Sequence, residues 1–274
     1  MPRKKKISSR VKGYNIALIG VLSVLIITLV VVLATILIKS RPIYKIENRS
    51  KQIENNKKND NENYKTKGWV RVQGTNIDYP LYRFNKEVLD MPVNKSLLWD
   101  LSFDNKFHSV MHVYGHNIKN LSSKPLREDE GFTRLEELMS YVYYDFAEDN
   151  KYFQITIGNK DYLYKIFAVN FMDTEQFYGY SRSTFKKKND KKDYIDTLLE
   201  ESIYDYDIDV DVNDDIASVV TCTRFFGPKS SNFLVTGRLM RNNEKADNYK
   251  VHRNKNYVEK IKPLLEGEEV EDEE

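Results

Sequence analysis

A chain of 274 residues exceeds one average domain of about 150 and fits one large domain with accessory segments. Hydrophobic residues at 41% and aromatics at 12%, among them 19 tyrosines, exclude wholesale disorder, while Lys+Arg 43 against Asp+Glu 41 excludes a dedicated nucleic-acid binder, which carries a clear basic excess. A single cysteine, Cys222, excludes an intramolecular disulfide and any metal site built from several thiolates.

From the N-terminus, residues 1–14 form a basic tail in which Arg3, Lys4, Lys5, Lys6, Arg10 and Lys12 meet no acid. Residues 15–38 then run uncharged for about 36 Å as a helix, against about 30 Å of hydrocarbon, which predicts one transmembrane anchor. The stretch is too long for a signal-peptide core, and no A-x-A-like cleavage site follows it. The basic tail predicts a cytoplasmic N-terminus and an extracellular remainder on a single-pass membrane protein. Residues 39–66, rich in Asn, Lys and Glu, predict a solvated stalk, and residues 242–274 a polar tail ending in the acidic run EGEEVEDEE. The folded domain is expected at 67–241.

Within it, WVRVQGTNIDYPLYR, KFHSVMHVYGHN, YFQITIGNKDYLYKIFAVNFM and DIASVVTCTRFFGPKSSNFLVTGRLM alternate apolar and polar residues between turn signals and read as strands, with Gly158–Asn159 as a hairpin turn. GFTRLEELMSYV, with Thr133 and Glu136 in capping-box spacing, and DKKDYIDTLLEESIYD read as helices. The expected fold is mostly β, largely antiparallel, with a few inserted helices.

Two groups able to do chemistry fall at strand ends. His116 closes VMHVYG and Cys222 closes IASVVTC, in the positions where loops concentrate function. A thiol with an imidazole is the minimum set for acyl transfer, because the imidazole can lower the thiol pKa and later protonate a leaving amine. The spacing alone leaves open an inert core thiol and a structural histidine. His108 and His112 read as structural or surface residues. The carboxylates of YDYDIDVDVNDD lack the Gly and terminal Glu of an EF-hand loop and read as a solvated face. No metal and no cofactor is implied.

GWVRVQGTNIDYPLYR, then VYGHNIKN, then ASVVTCTR before a loop and a final strand resemble the sortase family, specifically class B, over residues 67–240. The resemblance implies a closed eight-stranded sortase-type β-barrel behind the transmembrane helix, and DKKDYIDTLLEESIYD looks like the extra helix of class B. It implies a cysteine transpeptidase of the Gram-positive surface, with His116 as the family histidine and Cys222 as the nucleophile. Cys222 would cleave a C-terminal sorting motif of surface proteins through a thioacyl intermediate, which an amine of a cell-wall precursor resolves. The implied partners are those proteins, that amine and the lipid bilayer, with no nucleic acid. A catalytically weakened peptide-binding or assembly protein and a hydrolytic cysteine peptidase are the competing readings.

The chain departs from the family at one point. The family's third residue, an arginine at the start of the strand after the cysteine, falls on Asn232. Arg238 shares its parity but lies six residues on, about 20 Å along a strand. Arg224, two positions from Cys222 and of matching parity if the strand continues, is the expected substitute, with Asn232 as a secondary oxyanion or substrate-binding donor.

Overall fold

The alternation read from the sequence becomes strands, and their pairing carries the site. The computed structural model describes residues 9–40, 43–60, 65–83, 98–100, 107–117, 135–173, 185, 187–226 and 231–266, without the side chains of 9–17, 34–40, 99 and 100. The chain divides after Ile43 into two units.

The first unit contains helix α1, Ser9–Ser40. Its described side chains are apolar at most positions and exposed, Ile19 and Val24 among them. Among the described residues no helix is long and apolar enough to cross a membrane, so the expected anchor over 15–38 is not shown. Residues 1–8 of the basic tail lie outside the described residues.

The second unit is built on strands β1 (Thr66–Val72), β2 (Asp78–Arg83), β3 (Leu98–Asp100), β4 (Val110–Gly115), β5 (Tyr152–Ile157), β6 (Lys160–Asp173), β8 (Ile216–Thr223) and β9 (Ser231–Leu239). They close into a barrel in the order β1-β2-β3-β4-β8-β9-β6-β5, and β5 returns to β1 through antiparallel pairs such as Val70↔Ile155. The expected hairpin between β5 and β6 is present: Ile157 pairs with Lys160, and Gly158 takes φ 62°, the left-handed conformation that tight hairpin turns demand. Short strands β7 (Tyr204–Tyr206) and β10 (Val251–Arg253) pair separately.

Strand alternation sorts side chains onto two faces. From β8, Ala217 and Val219 enter the main core with Val113, Phe233 and Val235. Ile216 and Val220 point the other way and join Val110, Leu234 and Met172 beneath helix α4, Lys188–Glu201, which contributes Tyr194, Ile195 and Leu198. Those three positions follow the i, i+1, i+4 spacing of one helical face, which accounts for the expected helix forming here. α4 thus covers part of the barrel's outer face. The other expected helix differs. Residues Glu136–Val142 form a buried 3₁₀ helix followed by a short helix α3, Tyr144–Asp149, and Thr133 of the expected capping box lies outside the described residues.

The expected domain limits need correction at both ends. In the stalk, helix α2 (Ser50–Lys57) buries Ile53 completely, and Asn56 Nδ2 donates to Tyr82 Oη at 2.8 Å. In the expected tail, Tyr249, Val251, Tyr257 and Ile261 are buried, and Tyr249 Oη donates to the carbonyls of Lys151 (2.7 Å) and Ile166 (2.8 Å). These isolated apolar residues sit in polar surroundings whose average character concealed them. The final acidic residues 267–274 lie outside the described residues. The carboxylate run between β7 and β8 is also not simply solvated: Asp214 accepts two hydrogen bonds from Arg241, both 2.7 Å, and Asp209 pairs with the same guanidinium. Nor is Arg238 a peripheral cation, since it is 2% exposed and bonded to Glu244 through both terminal nitrogens.

Candidate active site

β4 and β8 run parallel from Val110↔Ile216 to Gly115↔Thr221, and Thr221 Oγ1 donates to the Gly115 carbonyl at 2.8 Å across the last pair. His116 and Cys222 each follow by one residue. The two are therefore brought to the same end of neighbouring strands, which in a sheet lie about 4.8 Å apart. Gly115 is required there by space: a β-carbon at this position would come within 2.5 Å of Leu98 Cδ2 and 2.9 Å of Leu135 Cδ1. A side chain at 115 would push the end of β4, and His116 with it, out of line.

β9 brings the third group. It pairs antiparallel with β8, and Asn232 is the register partner of Cys222. Cys222 shares the parity of Val220, and Asn232 that of Leu234, so both lie on the barrel's outer face, at the end of the patch that α4 covers. Asn232 is buried, while Cys222 is partly exposed. A thiol reachable from solvent beside buried polar groups suits a nucleophile.

Tyr114 joins them. It packs beside the same outer-face cluster, its Oη lies 2.8 Å from Cys222 Sγ, and it donates to Asn232 Oδ1 at 3.1 Å. The sequence reading passed over this residue although the signal was available: Tyr114 precedes His116 by two, the period that returns a strand to the same face. His112, two residues earlier still, is buried with its Nε2 3.1 Å from Tyr194 Oη, which makes it part of the α4 contact, as a structural reading expects.

Burial lowers the His116 pKa below that of an ordinary imidazole. The ring is then neutral at neutral pH, the form able to accept the thiol proton. Arg224 is placed differently from its expectation. β8 ends at Thr223, whose Oγ1 accepts from the Phe225 amide at 3.1 Å, so the chain turns and the strand parity that recommended Arg224 stops one residue short. Arg224 is exposed just beyond. Among the described residues no group of three or more His, Cys, Asp and Glu is arranged to hold a metal ion.

No family model matches the chain. Among curated proteins it is 22% identical over 185 residues to Sortase B of Staphylococcus aureus, covering 64% of this chain and 70% of that protein. It is 25% identical over 182 residues to Sortase B of Listeria monocytogenes, covering 63% and 69%. Among solved structures, Clostridium perfringens sortase B aligns with a TM-score of 0.55 and 24% identity, over 69% of this chain and 100% of that one. A β-barrel with a thiol and an imidazole at the ends of adjacent strands is the framework of a cysteine transpeptidase. The relatives narrow the class: in sequence and in fold the chain is similar to class B sortases.

Proposed function

We propose that the chain is a membrane-anchored transpeptidase that cleaves a C-terminal sorting motif of surface proteins and joins them to an amine of the cell wall. The observation that carries this reading is the convergence of Cys222 and His116 one step beyond the last β4–β8 ladder pair, on an outer face that a peptide can approach. Neutral His116 takes the thiol proton as Cys222 Sγ attacks the scissile carbonyl. The imidazolium then protonates the departing amine, leaving a thioester on Cys222. The incoming amine gives a proton to His116 and displaces Sγ as a thiolate, and the imidazolium passes that proton to the sulfur, which restores the thiol and the neutral ring. Negative charge on the substrate oxygen needs a donor at each attack. Asn232 is favoured for that task by its register position opposite Cys222; Arg224, exposed past the turn at Thr223, is the alternative.

Incubation with a sorting-motif peptide library, with and without triglycine, tests the reading. It requires peptide–triglycine product to form and to dominate over hydrolysis when the amine is present. Hydrolysis unaffected by amine would identify a peptidase instead, and binding without turnover a weakened sortase-like protein.

Anchoring rests on the 24 uncharged residues from Asn15 to Ile38, which lie within α1, and on the basic residues before them. Protease added to intact protoplasts should digest the barrel, and its protection would place it on the cytoplasmic side.

A further inference from the structure

Among the described residues, the thiol is joined through hydrogen bonds to two neutral side chains, Tyr114 and Asn232. Tyr114 lies opposite Val220 in the β4–β8 ladder, which makes Cys222 its diagonal neighbour, within reach of an aromatic side chain. Its one phenolic proton faces two acceptors, Cys222 Sγ at 2.8 Å and Asn232 Oδ1 at 3.1 Å. With the thiol protonated, S–H donates to the phenol oxygen and the phenol O–H donates to Oδ1, so every proton has an acceptor. Once Sγ loses its proton, the balance changes: a hydrogen bond to an ionised acceptor is about twice as strong as one between neutral groups. The phenol proton then turns from the amide oxygen to the sulfur, by rotation of the hydroxyl alone.

We propose that Tyr114 is a catalytic residue of this chain, a neutral donor that stabilises the Cys222 thiolate and, in alternation, holds the Asn232 amide by its oxygen, in the place where the family carries an arginine. The alternation follows the charge through the acyl transfer, on which the proposal rests. While Sγ is a thiolate, the phenol donates to it. When Sγ bonds to the substrate carbonyl carbon, the charge moves to the substrate oxygen and the phenol returns to Oδ1. The amide is then fixed with its NH₂ as the end left to donate to the new oxyanion. The thiol proton goes to His116 and on to the leaving amine; the phenol proton never leaves its oxygen. Asn232 is thereby a workable replacement for arginine because Tyr114 supplies the donor to sulfur that an amide held by its oxygen does not.

The test is the pH dependence of Cys222 alkylation by iodoacetamide in the full-length protein, together with transfer rates on the same samples and circular dichroism to verify folding. The titratable and charged groups around the sulfur, among the described residues, are Tyr114 and His116 from β4 and Arg224 beyond β8, while β9 presents the neutral Asn232. Tyr114→Phe should raise the alkylation midpoint by about one pH unit, a tenfold loss of thiolate at a given pH. Asn232→Ala should move it the opposite way, because removing Oδ1 frees the phenol for sulfur, while slowing transfer by about 10²-fold through loss of the oxyanion donor. In the Tyr114→Phe background, Asn232→Ala should leave the midpoint where it is. An unchanged midpoint in Tyr114→Phe, or an Asn232→Ala shift that survives with phenylalanine at 114, overturns the proposal. Because alkylation needs no substrate, shifted midpoints in a protein that transfers nothing would sustain Tyr114 as the thiolate donor and refute the transpeptidase reading.

Discussion

Removal of residues 242–274 is expected to unfold the barrel rather than trim a tail. The segment buries Tyr249, Val251, Tyr257 and Ile261, and full burial of such side chains stabilises by about 1.5–3 kcal/mol each. It also carries Glu244 and Asp247, the partners of Lys165, and Glu244 pairs Arg238 as well. The side chains of Lys165 and Arg238 are only 4% and 2% exposed; truncation strips Lys165 of both its carboxylates and leaves Arg238 only the longer pairing with Asp209 at 3.8 Å, and breaking a buried pair costs about 3–5 kcal/mol. Together these losses match the whole stability of a typical domain, about 5–15 kcal/mol. Arg238 also holds the Glu244 carboxyl down to about 2, which is stability present above the ordinary carboxylate range and lost as pH falls toward 2. A thermal melt followed by circular dichroism checks the expectation: the truncated protein should show no cooperative transition at ambient temperature and above. A melt like that of the intact chain would mean that these contacts contribute nothing.

The same segment marks where sequence reading stops. VMHVYG and IASVVTC were legible as strands because each is a short run rich in β-branched and apolar residues bounded by turn signals, and the structure puts His116 and Cys222 at or beside the ends of β4 and β8. The parallel pairing that brings those ends together was not, because it depends on contacts more than 100 residues apart in the chain. The tail failed for a different reason: one buried residue every few positions, fixed by Tyr249 Oη on two barrel carbonyls, leaves no periodic trace. Arg224 was recommended by a strand parity that ends at Thr223, a local hydroxyl-capped turn invisible to a count of residues. Arg238 was set aside as too far along the strand to replace the family arginine, and the fold shows what it does instead, buried against Glu244. Asn232 drew attention only because the resemblance puts the family arginine at its position; that β9 sets it opposite Cys222 is a fact of the fold.

Cys222→Ala and His116→Ala should each lower transfer by about 10³-fold or more, with little further loss in the double variant, because nucleophile and base act as one unit. The wild-type rate should fall on the acid side as His116 takes up a proton, with a midpoint below the ordinary imidazole value of about 6.5, since burial disfavours the charged ring. Independent, additive losses would separate the two residues. The most direct measurement is the intact mass of the full-length protein after incubation with the sorting-motif peptides and no amine. The account predicts an adduct equal to the acyl half of the cleaved peptide, carried on Cys222, absent from Cys222→Ala, and discharged on addition of triglycine as peptide–triglycine product. Transfer product from a protein lacking Cys222, or turnover in which no adduct forms and none is discharged by the amine, would contradict it.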